Sequence, residues 1–346
     1  MRDDQWEALL RIIDGEEPAQ VPVGFIVDSV WLPGWAGCSV LDYYVSEELW
    51  IAANLKAVST FPDVMFFPGF WAEYGMISEP SAFGVKCLWA ENELPFPEKV
   101  IRSYQEAAAL TKPDVTRDGL LPFMTRRLQH ALPRIQAAGH KVRFSVSRGP
   151  LNIATFLFGG TEFLLGLKIE PEATHKLLRV ITDFLIDWHR LQKRLFPTID
   201  GCLLLDDLIG FVGEEDFRAF GLPYFKEIYS AVGATARFLH NDAPGLVSAP
   251  WLPEMGVNMF NFSFEHTLAR MRELTRGRVV LVGNIPPRDR LAAATPQQIE
   301  ADTRQLLAGL PDRKRLVLSC GGGVPPGVTT EQMQALARAA QLRGAP

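Results

Sequence analysis

Cysteine is scarce in this chain: its 346 residues hold four, at positions 38, 87, 202 and 320, and no two of them form a CxxC pair. A disulfide framework is therefore not expected, and a reducing compartment, the cytoplasm, is. A dominant charge of either sign is also missing. Lys plus Arg number 35 against 40 for Asp plus Glu, the net charge is −5, and the basic residues are scattered rather than gathered into a stripe. That argues against a nucleic-acid partner. No apolar run reaches the roughly 18 uncharged residues of a membrane span. The acidic, amphipathic start MRDDQWEALLRIIDGEEP lacks the basic lead and unbroken apolar stretch of a secretory signal. A soluble protein without a membrane partner is expected. No linker, repeat or low-complexity tract divides the chain, so one domain over residues 1–346 is the simplest organisation.

What the chain does have is alternation. The composition, 47% hydrophobic and 22% charged, supports a large core. After an N-terminal helix, eight apolar runs read as buried strands: 21–30, 63–70, 141–147, 201–207, 235–242, 258–264, 278–284 and 315–321. Helical or loop segments separate them, including a helix near 296–309 that Thr295 caps with Pro296 in its first turn. Strands apolar on both sides and spaced by helix-length segments indicate a parallel sheet covered by helices. A doubly wound sheet would also fit, but no GxGxxG follows a strand. The predicted fold is a single (β/α)8 barrel of the α/β class with an N-terminal helical extension.

In such a barrel the chemistry sits at the C-terminal ends of the strands. Polar residues standing there are Ser147 and Arg148, Asp206 and Asp207, His240 and Asp242, Glu265 and His266, Asn284, and Cys320; the second strand adds Trp71, Glu73 and Tyr74. Side-chain alternation lets only one of Asp206 and Asp207 point into the mouth, leaving the other structural. His240 and Asp242, two apart, share a strand face, and Cys320 ends another strand at the same end. Imidazole, carboxylate and thiolate are all zinc ligands, so His240, Asp242 and Cys320 form a candidate zinc site with Glu265 in reserve. The plainer alternative is a hydrogen-bonded His, an Asp opening the turn before Pro244 and Gly245, and an inert buried Cys. Asp207, His240 and Glu265 are the candidate catalytic acid–base groups. Trp71, Glu73, Tyr74, Arg148 and Asn284 are the candidate substrate contacts. His130, His140, His175 and His189 fall in or beside helices and read as structural. The glycines of SCGGGVPPG (319–327) offer backbone N–H groups but lack the Lys of a phosphate loop.

Several segments resemble the uroporphyrinogen decarboxylase superfamily in order and spacing: SRGPLNIATFLFGG (147–160), LLLDDLIGFVGEEDFRAFGLPYFKEI (203–228), FLHNDAP (238–244), LVGNIPPRDRLAAATPQQIEADTRQLL (281–307) and LVLSCGGGVPPGVTTEQMQAL (316–335). The resemblance implies a (β/α)8 barrel that is either a porphyrinogen decarboxylase or a methyltransferase serving corrinoid proteins or thiols. The decarboxylase branch carries an arginine-rich N-terminal segment and an Asp after the second strand. Here the first sixty residues contain only Arg2, Arg11 and Lys56, and no Asp occurs between Asp63 and Asp114. A polycarboxylate substrate would lack matched cations.

In the thiol methyltransferases of the superfamily, zinc is held by a His-x-Cys pair and a Cys at the last corner. This sequence has His240-Asn241-Asp242, and Gly322 stands at the last-corner position with Cys320 two residues earlier. The resemblance thus implies a methyltransferase moving a methyl group between a small aromatic or thiol compound and a corrinoid on a separate protein, zinc being the implied metal. Decarboxylation of uroporphyrinogen, or of a smaller substrate by Asp207, His240 and Tyr74, is the alternative. A barrel that binds a small molecule without turning it over is a third.

Overall fold

Short buried runs rich in apolar residues give eight of the ten strands in this computed structural model, which describes residues 1–341. They are β1 (Val23–Ile26), β2 (Val64–Phe67), β3 (Lys86–Leu88), β4 (Phe96–Glu98), β5 (Phe144–Arg148), β6 (Gly201–Leu205), β7 (Ala236–Asn241), β8 (Met259–Phe262), β9 (Val280–Ile285) and β10 (Leu316–Cys320). Eight of them make one curled parallel sheet in the order β2-β1-β10-β9-β8-β7-β6-β5, as a (β/α)8 barrel requires. The short antiparallel pair β3 and β4 is an insertion the sequence reading had not resolved.

Alternation sorts the core into two layers. Ile26, Met65, Phe67, Phe144, Val146, Leu203, Phe238, Met259, Val282 and Val317 pack inside the barrel. Their strand neighbours Phe25, Phe66, Cys202, Leu204, Leu239, Phe260, Leu281, Leu316 and Leu318 pack outward under the helices. Gly24 leaves room for this interior, since a Cβ there would fall 2.6 Å from the ring of Phe67. The rings of Phe67 and Phe144 meet edge to face at 6.0 Å across the seam between the edge strands β2 and β5.

The N-terminal helix Asp3–Ile13 closes the bottom of the barrel. Its Trp6, Leu9, Ile12 and Ile13 join the inner layer, and Trp6 meets Phe144 at 5.5 Å. Each such side chain contributes about 1.5–3 kcal/mol by burial. With that end sealed, the C-terminal mouth is left for chemistry. Among the described residues no single helix is long and apolar enough to cross a membrane.

Candidate active site

Register explains the centre of the mouth. On the inner face, Leu205 of β6, His240 of β7 and Asn261 of β8 are paired side by side. Two residues beyond Leu205 and His240 come Asp207 and Asp242, at matching heights, and the backbone N–H of Asp242 donates to Asp207 Oδ1 at 3.1 Å. His240 Nε2 lies 3.9 Å from Asp207 Oδ1 and 4.0 Å from Asp242 Oδ2. One ligand atom from each of Asp207, His240 and Asp242 falls within 4.8 Å of the others.

Asn261 fixes the tautomer of this histidine. Its amide donates to the carbonyls of Val282 at 2.7 Å and Cys320 at 3.1 Å, so Oδ1 is the atom that faces His240 Nδ1, at 2.7 Å. An amide oxygen only accepts, hence Nδ1 carries the proton and donates it, and Nε2 is turned to the two carboxylates. Burial works against the imidazolium, but Asp207, Asp242, the Asn261 oxygen and Asp28 outweigh it and raise the His240 pKa. Burial raises the Asp207 pKa, the Asp242 charge adds to this, and His240 opposes it.

Of the two consecutive acids, Asp206 is the internal brace. Its carboxylate is fully buried and accepts from the backbone N–H groups of Leu151, Asn152 and Leu208, stitching β6 to the start of the helix Pro150–Phe158. Gly149 makes this approach possible, since a Cβ there would lie 2.3 Å from Asp206 Oδ2. Burial pushes Asp206 up to about 8.

Cys320 does not join His240 and Asp242; Asp207 stands there instead. On β10 the inward positions are Val317 and Ser319, so Cys320 falls with Leu316 and Leu318 in the helix-side core. Its thiol is fully buried, donates to the Gly322 carbonyl at 3.3 Å, and is pushed up to about 12 by burial. Gly322 itself borders the site: a Cβ there would lie 2.8 Å from Asp242 Oδ2. Glu265 is exposed and also outside the group.

The remaining sequence-selected residues divide. Arg148 reaches Glu79 at 3.2 Å in an ion pair whose side chains are 8% and 0% exposed, and its guanidinium carbon lies 5.9 Å from the centre of the Trp71 ring. Trp71 belongs to the inner layer, its indole nitrogen buried without a partner. Glu73 is buried and accepts from the hydroxyls of Ser29 and Tyr44 and the backbone of Ser29 and Gly75. Burial and the nearby Asp28 charge raise the Glu73 pKa, against Arg148 and the Ser29 and Gly75 hydrogen bonds. Tyr74 packs with Tyr44 and Trp89 in the helix-side core, 4.9 Å from the Arg127 guanidinium. Asn284 donates to the His266 carbonyl, bracing the loop after β8.

Two functional candidates escaped the sequence reading. Asn261 lay inside an apolar run, NMFNFSF, where only register reveals it. Asp28, two residues past β1, follows Ile26 on the inward face and accepts from Val30 N–H at 2.9 Å; an Asp opening a turn is ordinary enough to pass unnoticed.

An eight-stranded parallel sheet with surrounding helices, carrying an imidazole and carboxylates at its C-terminal mouth, defines a (β/α)8-barrel protein. The chain matches the family described as Uroporphyrinogen decarboxylase (URO-D) over residues 4–342, and it belongs to that family. It is 28% identical over 276 residues to a uroporphyrinogen decarboxylase of Chloroherpeton thalassium, covering 74% of each chain. With one of Thioalkalivibrio sulfidiphilus it shares 23% identity over 314 residues, covering 86% of this chain and 85% of the relative. A solved methyltransferase from Methanosarcina mazei superposes with a TM-score of 0.80 over 96% of both chains at 18% identity, a likeness of fold.

Proposed function

We propose that the chain is a metal-dependent methyltransferase of this family, acting as one barrel, that moves a methyl group between a small compound and a corrinoid carried by a separate protein. The observation that carries the reading is the Asp207, His240 and Asp242 group with His240 held by Asn261. The donor set fits zinc. Bonds of about 2.0–2.2 Å to nitrogen and oxygen need ligand atoms about 3–4 Å apart, and the spacing found here requires only small side-chain movements. A hydrogen-bonded partner on the second ring nitrogen is what a metal-ligating histidine needs.

A divalent ion held there would act as a Lewis acid toward a thiolate or alkoxide. The chain's own residues do the rest. Asn261 orients His240 Nε2, Asp206 fixes the strand end that presents Asp207, and Trp71 walls the inner side of the mouth. Glu79 holds Arg148 beside Trp71. Proton handling at the mouth falls to Asp207 and His240 wherever a metal is not bound.

The charge of the mouth favours this reading over uroporphyrinogen decarboxylation. Asp28, Glu73 and Glu79 lie around Arg148, which Glu79 already engages, and Asp207 and Asp242 add negative charge beside His240. A polycarboxylate would enter unmatched negative charge and meet a desolvation cost without compensating ion pairs. The test is to load the purified protein with zinc, supply methylated compounds and reduced cobalamin, and follow methylcobalamin by absorbance. Methylcobalamin formation that is lost in His240→Ala supports the reading. Conversion of uroporphyrinogen to coproporphyrinogen without methyl transfer contradicts it.

A further inference from the structure

Of the three residues grouped at the mouth, two have their side chains tied to the protein and one does not. Asn261 orients His240, and Asp207 accepts from the backbone N–H of Asp242 at 3.1 Å. The Asp242 side chain is 45% exposed, and among the described residues no N–H or hydroxyl donates to its carboxylate. Its place is therefore set by the backbone turn that carries it.

That turn, residues 241–245, is pinned at four points. Asn241 Oδ1 accepts from the Ala243 N–H at 3.0 Å, and the Asp242 N–H donates to Asp207. Gly245 lies against the backbone of Gly210, where a Cβ would fall 1.9 Å from the Gly210 oxygen. These three ties bind the turn to itself and to the loop after β6. The fourth comes from the other side: His266 Nε2 lies 2.6 Å from the Pro244 carbonyl oxygen. A carbonyl oxygen only accepts, so Nε2 carries a proton and donates it.

His266 stands on a firm base. Its backbone N–H donates to the Ser263 carbonyl at 3.3 Å, and its own carbonyl accepts from the buried Asn284 of β9. The next residue, Thr267, caps the helix Leu268–Leu274 by accepting from the Arg270 N–H at 3.1 Å. Just before it, the backbone of Phe264 rests on Gly321, where a Cβ would fall 2.6 Å from the Phe264 nitrogen. The loops after β6, β7, β8 and β9 are thus connected, and the His266 ring joins the first pair to the second.

We infer that His266 is a positioning residue for the metal ligand Asp242, acting through the Pro244 carbonyl to hold the turn that keeps Asp242 beside Asp207 and His240. The inference rests on the metal-dependent methyltransferase reading. His266 lies outside the Asp207, His240 and Asp242 group, so it acts on the metal only through that turn. It is half-buried, and its replacement removes little of the core. Because its effect passes to one ligand, the effect should vanish once that ligand is gone.

The test measures zinc affinity by competition with a chromogenic chelator, beside denaturant unfolding of the zinc-free chain. His266→Phe keeps a ring and removes the donor, whereas His266→Gln places an amide N–H as many bonds from Cα as Nε2. His266→Phe should weaken zinc about three- to tenfold, the effect of one hydrogen bond, with the unfolding midpoint little changed. His266→Gln should stay within about twofold of the unaltered protein. Placed on Asp242→Asn, His266→Phe should weaken zinc no further, a non-additivity that general loosening of the fold would not produce. Unchanged zinc affinity in His266→Phe, or the same loss with and without Asp242→Asn, overturns the inference and leaves the metal site standing. Nitrogen NMR of the unaltered protein at pH 8 needs no variant to fold: the Nε2–H tautomer of His266 is expected, and an Nδ1–H tautomer overturns the inference. No zinc uptake by the unaltered chain removes the metal reading and this inference with it.

Discussion

Asn261 Oδ1 lies 2.7 Å from His240 Nδ1, and the amide that could otherwise flip is committed to the carbonyls of Val282 and Cys320. This pair holds a strand histidine with its Nε2 directed at Asp207 and Asp242. Replacing Asn261 by Ala should weaken zinc binding roughly 10- to 100-fold, as loss of a metal ligand's hydrogen-bonded partner does. Asn261→Asp keeps an acceptor for Nδ1 but sets its other oxygen against the carbonyls of Val282 and Cys320, so it should recover only part of the lost affinity. Competition with a chromogenic chelator measures both, and unchanged affinity in Asn261→Ala would show that the contact only packs.

Cys320→Ser should leave metal affinity within about twofold of the unaltered protein, because the thiol faces the helix-side core and bonds Gly322. A large loss of zinc from this variant would mean that the sulfur reaches the mouth after all.

How legible was this in the sequence? The strands were, because both faces of each are apolar and the runs stand out between helices. So was the division of labour between Asp206 and Asp207, since alternation forbids both from pointing inward. The same rule counted along β10 puts Ser319 inward and Cys320 outward; choosing the cysteine for its chemistry overrode the count. Asn261 is recognisable only once β7 and β8 are in register, and register between parallel strands is set by packing over the whole barrel rather than by local sequence. Asp28 hid as a turn residue. The pairing of Arg148 with Glu79 joins a strand end to a loop sixty-nine positions away, and no local spacing announces it.

The helix Asp3–Ile13 offers a stability test remote from the mouth. Leu9 is 0% exposed within the inner layer, and Leu9→Ala should cost about 2–5 kcal/mol in denaturant unfolding. A loss below about 0.5 kcal/mol, the scale of a surface substitution, would mean that the helix does not plug the barrel.

His189 sets a pH dependence of folding. It is fully buried between the hydroxyls of Ser145 and Ser147, and burial lowers its pKa to about 3. The unfolded chain, with an ordinary histidine near 6.5, binds more protons between these values, so this contribution is complete above pH 6.5 and is lost as pH falls toward 3. The slope is at most about 1.4 kcal/mol per pH unit. His189→Gln should be less stable at neutral pH, and the gap to the unaltered protein should shrink as pH drops from 7 to 4.5. A gap that stays constant would contradict a neutral buried His189.

The account centres on a metal site made by Asp207, His240 and Asp242, and its most direct test is elemental analysis joined to zinc titration of the unaltered protein, His240→Ala and Asp242→Asn. The account predicts one zinc per chain in the unaltered protein, none retained by His240→Ala and a markedly weakened site in Asp242→Asn. A protein that takes up no zinc, or a His240→Ala variant that binds it as tightly as the unaltered chain, would contradict it.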